Sequence, residues 1–286
     1  VLTLVLGGLA LGAIYALVAI GYNIVFVSSK TFNFAQAQLM MVGAFLTYTA
    51  TETWHLPWYV AALIATAGVS AVALAEYYIA IRPVKNHDNI LVTTLGASIL
   101  LTGAAQLIWG GEPLTVSFFG GNDAIDLLGA RVFPVELALI ALVIVVVVLL
   151  SLYGKYSLKG LALRAMSEDR EAAQLRGVNV ARLALIAFVA SGALAGFLGI
   201  FVGPKTYAVV TLGASLALKG FVVLAVGGFG SMPGVLVGGL IVGLVEAIAA
   251  RYLGGDFASL SVFIILILVL LIRPAGLFVR TRERTV

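Results

Sequence analysis

Long apolar runs with few charges alternate with polar connections along the whole chain. A helix needs about 20 mostly apolar residues to span a hydrocarbon core. Nine segments approach that length: 1–27, 31–50, 59–81, 89–109, 135–153, 184–203, 206–228, 233–250 and 259–273. The runs are continuous rather than alternating in strand-length units, which selects helices over a membrane β-barrel. Several runs are short or broken by glycine. The expectation is therefore an all-α, polytopic transmembrane helical bundle of seven to nine spans, with interrupted or re-entrant helices. Residues 1–27 lack the basic start and cleavage site of a secretory signal and are read as a retained span.

Composition supports this reading. Of 286 residues, 62% are hydrophobic and 10% are charged, and the mean hydropathy is +1.13. Soluble domains carry about 25% charged residues, so the composition argues against a soluble all-helical core protein. Residues 1–286 read as a single transmembrane domain. The chain has no cysteine, hence no disulfide and no thiolate metal site.

Twelve of the 17 basic residues sit in three places: Arg82 and Lys85; Lys155, Lys159, Arg164, Arg170, Arg176 and Arg182 in the connection 154–183; and Arg273, Arg280, Arg282 and Arg284 in the tail. By the positive-inside rule all three face the cytoplasm, so the C-terminus is cytoplasmic. The N-terminus lies outside if all nine segments cross. There is also a faint internal repeat. "NFAQAQLMMVGA" (33–44) and "GFGSMPGVLVGG" (228–239) share Phe34/Phe229, Val42/Val237 and Gly43/Gly238, and both run from a polar start into an apolar helix.

Catalytic chemistry is not visible. His55 and His87 lack metal-site spacing. "GIFVGPKT" (199–206) fails as a phosphate loop because Pro204 replaces the glycine before Lys205. The sequence points to no catalytic residue, metal, cofactor or nucleic-acid partner.

Charges within spans are few. Glu76 is placed to reach Arg82 or water, and Glu246 to pair with Arg251 along its own helix. Lys219 is either functional or a structural partner of Glu246. Small pairs at four-residue spacing, such as Gly8/Gly12, Gly192/Gly196 and Gly239/Gly243, suit close helix packing. Two clusters differ. "TFNFAQAQ" places Asn33, Gln36 and Gln38 at the start of a span that continues to Gly43. "GGFGSMPG" combines Gly227, Gly228, Gly230 and Ser231 with Pro233. Irregular backbone at membrane depth is tolerated where it is buried in protein or lines an aqueous cavity, so both clusters are candidate linings of a substrate pathway.

The stretch "EDREAAQLRG" (168–177) is unusually polar. Ser167 suits an N-cap, with Glu168, Asp169 and Glu171 in the first turn, where the helix dipole favours negative charge. Gly177 suits a helix stop. Ala172, Ala173 and Leu175 would form a flat apolar patch for docking into a partner's groove, the alternative being a solvated connector.

"LKGLALRAMSEDREAAQLRGVNVARLALIAFVASGALAGFLG" (158–199) closely resembles the cytoplasmic coupling loop of permeases in bacterial branched-chain amino acid ABC importers, the LivH-like family. "FNFAQAQLMMVGAF" (32–45) and "VVLAVGGFGSMPGVLVGGLIVGLVE" (222–246) are similar to its two signature regions. The resemblance runs from "LGAIYALVAIGY" (11–22) to "RPAGLF" (273–278). It implies alternating-access import across the cytoplasmic membrane. A second permease (LivM-like or a homologous copy) would share the pathway. Two cytoplasmic ATPase subunits would dock on Glu168–Gly177, and an extracytoplasmic binding protein would deliver substrate. The family's His-Gly after Asn-Phe-Ala is Gln36-Ala37 here, and glutamine cannot titrate near neutral pH. That departure leaves urea, amides or small aromatic acids as alternatives to branched-chain amino acids. A stand-alone channel or secondary transporter would work without ATP.

Overall fold

A computed structural model describes residues 1–84, 87–127 and 129–278, with His87 and Asp88 described at backbone level alone. Lys85, Arg280, Arg282 and Arg284 lie outside the described residues.

The apolar segments form α1 (Leu2–Ser29), α2 (Gln36–Tyr48), α3 (Trp58–Glu76), α4 (His87–Trp109), α5 (Pro134–Tyr156), α8 (Val180–Thr206), α9 (Thr211–Gly227), α10 (Met232–Tyr252) and α11 (Gly255–Ile272). Helices α2 and α3 each run on into five residues of π-helix. Between α5 and α8 lie two short helices, α6 (Leu158–Glu168) and α7 (Arg170–Leu175). A small hairpin, β1 (Ile125–Leu127) and β2 (Ala130–Val132), precedes α5. Among the described residues, seven helices are long and apolar enough to cross a membrane; α2 and α9 are shorter.

Two expected spans are trimmed. Helix α2 begins at Gln36 because 31–35 is a turn. Helix α9 begins at Thr211 because Lys205 and Thr206 finish α8. Tyr207 then takes a positive φ of 62°, and Ala208 bridges to Leu114.

Helix α1 is the axis. Its 28 residues span about 42 Å, and residues 12–22 are buried on every side. A helix apolar all round belongs inside a bundle. Along one face Gly8 and Gly12 meet Gly239 and Gly243 of α10, where a Cβ on Gly12 would lie 2.9 Å from the Cα of Leu240. The pair Gly192/Gly196 fits α8 against Ala65, Val69 and Ala73 of α3 in the same way. Contact without side chains lets these backbones approach closely.

The two ends differ in chemistry. At one end, Ser28, Arg82, Ile90, Arg170 and Ala181 line a common cavity of about 300 Å³, and Arg164 and Phe278 line another with Lys30. The described basic connections therefore converge there, at what is termed the basic end. At the other end Glu52 accepts from the Ser117 amide (3.0 Å), and Trp58 stacks on Phe119 (4.7 Å between ring centres). Trp54, Trp58 and Tyr59 are exposed there, as in an interfacial aromatic belt.

Candidate functional site

The first break follows α1. Lys30 in the left-handed conformation stops that helix, and the chain turns back into the bundle. Asn33 Oδ1 accepts from the Ala35 amide (2.9 Å), fixing the turn, and Asn33 Nδ2 donates to Glu76 Oε2 (3.5 Å). Gln36 opens α2. Its Nε2 donates to the Ser191 carbonyl (3.2 Å), and Ser191 Oγ donates to Gln36 Oε1 (3.1 Å). Gly21 of α1 makes room: a Cβ there would lie 2.7 Å from Gln36 Cδ. Gly21 sits eight residues before Ser29, so α2 starts about 12 Å inside the basic end of α1. Gln38 is also buried, packs on Gly213 of α9, and its Oε1 has no hydrogen-bond partner among the described residues. Gly43 lies at the crossing with α8, where a Cβ would be 3.0 Å from Gly196 Cα.

The second break joins α9 to α10. Gly228 (φ 97°, ψ 132°) and Gly230 (φ 85°) hold conformations that side chains strongly disfavour. Gly227 approaches α10 so closely that a Cβ would be 2.7 Å from the Val235 nitrogen. Ser231 caps α10, its Oγ accepting from the Gly234 amide (3.1 Å). Asn23 of α1 holds the turn: Oδ1 accepts from the Gly230 amide (2.8 Å) and Nδ2 donates to Met232 Sδ (3.5 Å). The C-terminal segment closes over it, with the Leu277 amide donating to the Val226 carbonyl (2.9 Å).

The two breaks meet at one depth. Gly21 and Asn23 are two residues apart on α1, and each faces one break. Five phenylalanines bridge them, with Phe32 5.1 Å from Phe26 and 5.5 Å from Phe229, and Phe221 6.4 Å from both Phe34 and Phe229. Phe34 and Phe229, which match between the two similar sequence segments, thus share one cluster. Gly230 and Ser231 also open on a cleft of about 1220 Å³ at the basic end, between α5, α6 and α8. Asn33, Gln36 and Gln38 are buried within the bundle and do not line that cleft.

Charges in the spans find tertiary partners. Lys219 of α9 pairs with Glu246 of α10 and donates to Tyr15 Oη of α1 (3.1 Å). The expected Glu246–Arg251 pair does not form. Five residues along a helix turn through about 500°, leaving the two side chains on different faces. Glu76 likewise takes Asn33 rather than Arg82, whose guanidinium packs on the Tyr78 ring (5.3 Å). A further pair, Lys205 of α8 with Glu136 of α5, lies at the opposite end.

The polar stretch 168–177 is divided between two helices. Ser167 and Glu168 finish α6, and Ser167 Oγ donates to its own helix at the Arg164 carbonyl. The cap of α7 is Asp169, whose Oδ1 accepts from the Ala172 amide (3.0 Å). A cap must be extended, and Asp169 is extended (φ −147°, ψ 109°) where Ser167 is helical. Glu171 is in the first turn, and Gly177 (φ 84°) ends the element. The apolar patch is also split. Ala173 is buried against Met166 and Val180 with Leu163, Val178 and Leu183 around them. Leu175 is 90% exposed, and Ala172 is exposed beside it.

Asn23, Ser191 and the Glu136–Lys205 pair were not singled out from the sequence. Asn23 carried a signal, as an amide inside an uncharged run. Ser191 and Lys205 acquire meaning from residues 155 and 69 positions away, which no local pattern reveals.

Comparison with known proteins places this geometry. Residues 4–272 match the family described as branched-chain amino acid transport system / permease component. The high-affinity branched-chain amino acid transport system permease protein LivH of Escherichia coli is 30% identical over 292 residues, covering 96% of this chain and 94% of that protein. The corresponding protein BraD of Pseudomonas aeruginosa is 29% identical over 294 residues, covering 96% and 94%. In fold, the chain is similar to PsaBC from Streptococcus pneumoniae, solved in complex with Fab (TM-score 0.52, 11% identity, 94% of this chain and 91% of that chain covered). This chain belongs to the family of branched-chain amino acid transport system permease components.

Proposed function

We propose that the chain is the permease subunit of a bacterial ABC importer for branched-chain or related small amino acids. It sits in the cytoplasmic membrane with the basic end and C-terminus in the cytoplasm. A second permease, LivM-like or a homologous copy, completes the pathway. Two ATPase subunits dock on α6–α7, and an extracytoplasmic binding protein delivers substrate. The observation that carries this reading is α7. A six-residue helix is too short to stand alone. Here a small core formed with α6 and the start of α8 supports it, and it holds Leu175 outward at the basic end.

Motion received at α7 passes through that core to α8, whose Ser191 holds Gln36 at the first break. The aromatic cluster links the first break to the second. Asn33, Gln36, Gln38, Gly43, Gly227, Gly228, Gly230 and Ser231 then belong to the segments that rearrange around the substrate. Interrupted helices meeting inside the bundle are the usual place for such sites. The test is uptake of labelled leucine into proteoliposomes holding the assembled complex, with binding protein outside and ATP inside. Uptake should require all components. Uptake by this chain without ATPase subunits would identify a channel or secondary transporter instead.

A further inference from the structure

The cleft at the basic end is larger than its neighbourhood needs. At about 1220 Å³ it exceeds the 300–1,000 Å³ range of pockets built for drug-sized molecules. Its walls are apolar faces of α5 and α8, including Leu149, Ile186, Ala190 and Phe197, all exposed along the cleft. Its mouth is cationic. Lys30 from the end of α1, Lys155 from the end of α5 and Arg164 from α6 all line it. Among the described residues, no carboxylate lies within ion-pair distance of these three cations. One acid, Glu168, sits on the same rim. Further in, Ser151 lines the cleft with an Oγ that has no hydrogen-bond partner among the described residues.

An apolar slot capped by unpaired cations at one membrane face has the chemistry of an amphiphile with a negative head. A zwitterionic headgroup would bring its own cation to a rim with a net charge of two. An anionic one would bring the missing counter-charge. Basic pockets between spanning helices on the cytoplasmic side bind anionic headgroups for this reason.

We propose that the cleft holds an anionic glycerophospholipid of the surrounding bilayer. Its phosphate lies among Lys30, Lys155 and Arg164, and its acyl chains lie between α5 and α8. The lipid would touch α6 at Arg164 and the second break at Gly230 and Ser231. It would thus join the α6–α7 unit to the helix break through a molecule that the membrane supplies.

The test uses the full chain purified in mild detergent within its complex. Retained lipid is read by native mass spectrometry after incubation with phosphatidylglycerol or phosphatidylcholine. Wild type should retain phosphatidylglycerol preferentially. Lys155→Gln and Arg164→Gln should each lower retention on the order of fivefold. Ala190→Trp, which fills the apolar wall and leaves the cations, should lower it as well. Equal retention of the two lipids, or phosphatidylglycerol retention unchanged in all three variants, would overturn the proposal. So would water-soluble thiol labelling of Ala190→Cys that phosphatidylglycerol does not suppress, because the cleft would then be an aqueous vestibule. None of these readouts depends on substrate uptake, so the transport reading and the lipid site fail separately.

Discussion

Gln36 and Ser191 exchange two hydrogen bonds inside the bundle, joining the first residue of α2 to the middle of α8 at 3.2 and 3.1 Å. Replacing Gln36 with Leu removes both, while Ser191 Oγ keeps the Phe188 carbonyl at 2.8 Å. Each lost hydrogen bond is worth about 0.5–1.5 kcal/mol net, so the thermal midpoint should fall measurably. Ser191→Ala should cost less, and the double variant less than the sum of the singles. An additive double variant would show that the two side chains do not interact.

At Gly228 the backbone conformation disfavours any side chain, and the Gly276 backbone packs close against it. Gly228→Ala should cost about 1–3 kcal/mol through its positive φ. Gly228→Leu should abolish uptake while membrane insertion and subunit recovery persist. Wild-type uptake by Gly228→Leu at normal expression would remove the second break from the transport mechanism.

For Lys219 and Glu246 the two single changes and the double change should differ in kind. Lys219→Met strands Glu246, which is 7% exposed, and breaking a buried pair costs about 3–5 kcal/mol. Lys219→Met with Glu246→Gln removes both charges and should recover most of that loss. Chemical denaturation of the three variants in detergent measures it. A double variant as unstable as the worse single would mean that the pair is not the source of the effect.

The proposed ATPase contact can be separated from the fold of α7. Leu175→Arg changes an exposed position and should shift stability by less than about 0.5 kcal/mol. ATPase subunits should nevertheless be lost on purification. Ala173→Arg also should lose them, for a different reason: it forces a cation into the core around Met166 and Val180 and unfolds α7. Full ATPase recovery with Leu175→Arg, alongside normal uptake, would leave α7 a solvated connector.

The spans were legible because membrane crossing is a one-dimensional property. Twenty apolar residues announce themselves whatever lies beside them. The breaks were legible for a related reason: Asn33 and Gln36, or Gly228 and Gly230, contradict the helices around them. Partner choice was not legible. Glu246 had Arg251 near it in sequence, yet Lys219 on another helix is its partner, because helix geometry separates the first pair and packing creates the second. The capping of α7 failed on a finer scale. Ser167 and Asp169 are both good caps, and the extended backbone at Asp169 decided between them. Ala173 and Leu175 are two residues apart, about 200° around the helix, so one faces the core and the other faces out.

The glycine contact between α1 and α10 has a consequence for how the chain is made. The two helices are separated by roughly two hundred residues, while the Gly12 and Gly239 backbones touch in the finished bundle. At ribosomal speeds of about 5–20 residues per second, α1 enters the bilayer roughly 10–40 s before α10 exists. Throughout that interval the bare Gly8–Gly12 groove of the central helix faces lipid or an insertase. Biogenesis of this permease therefore depends on what shelters that groove, and on the last fifth of the chain arriving to replace it.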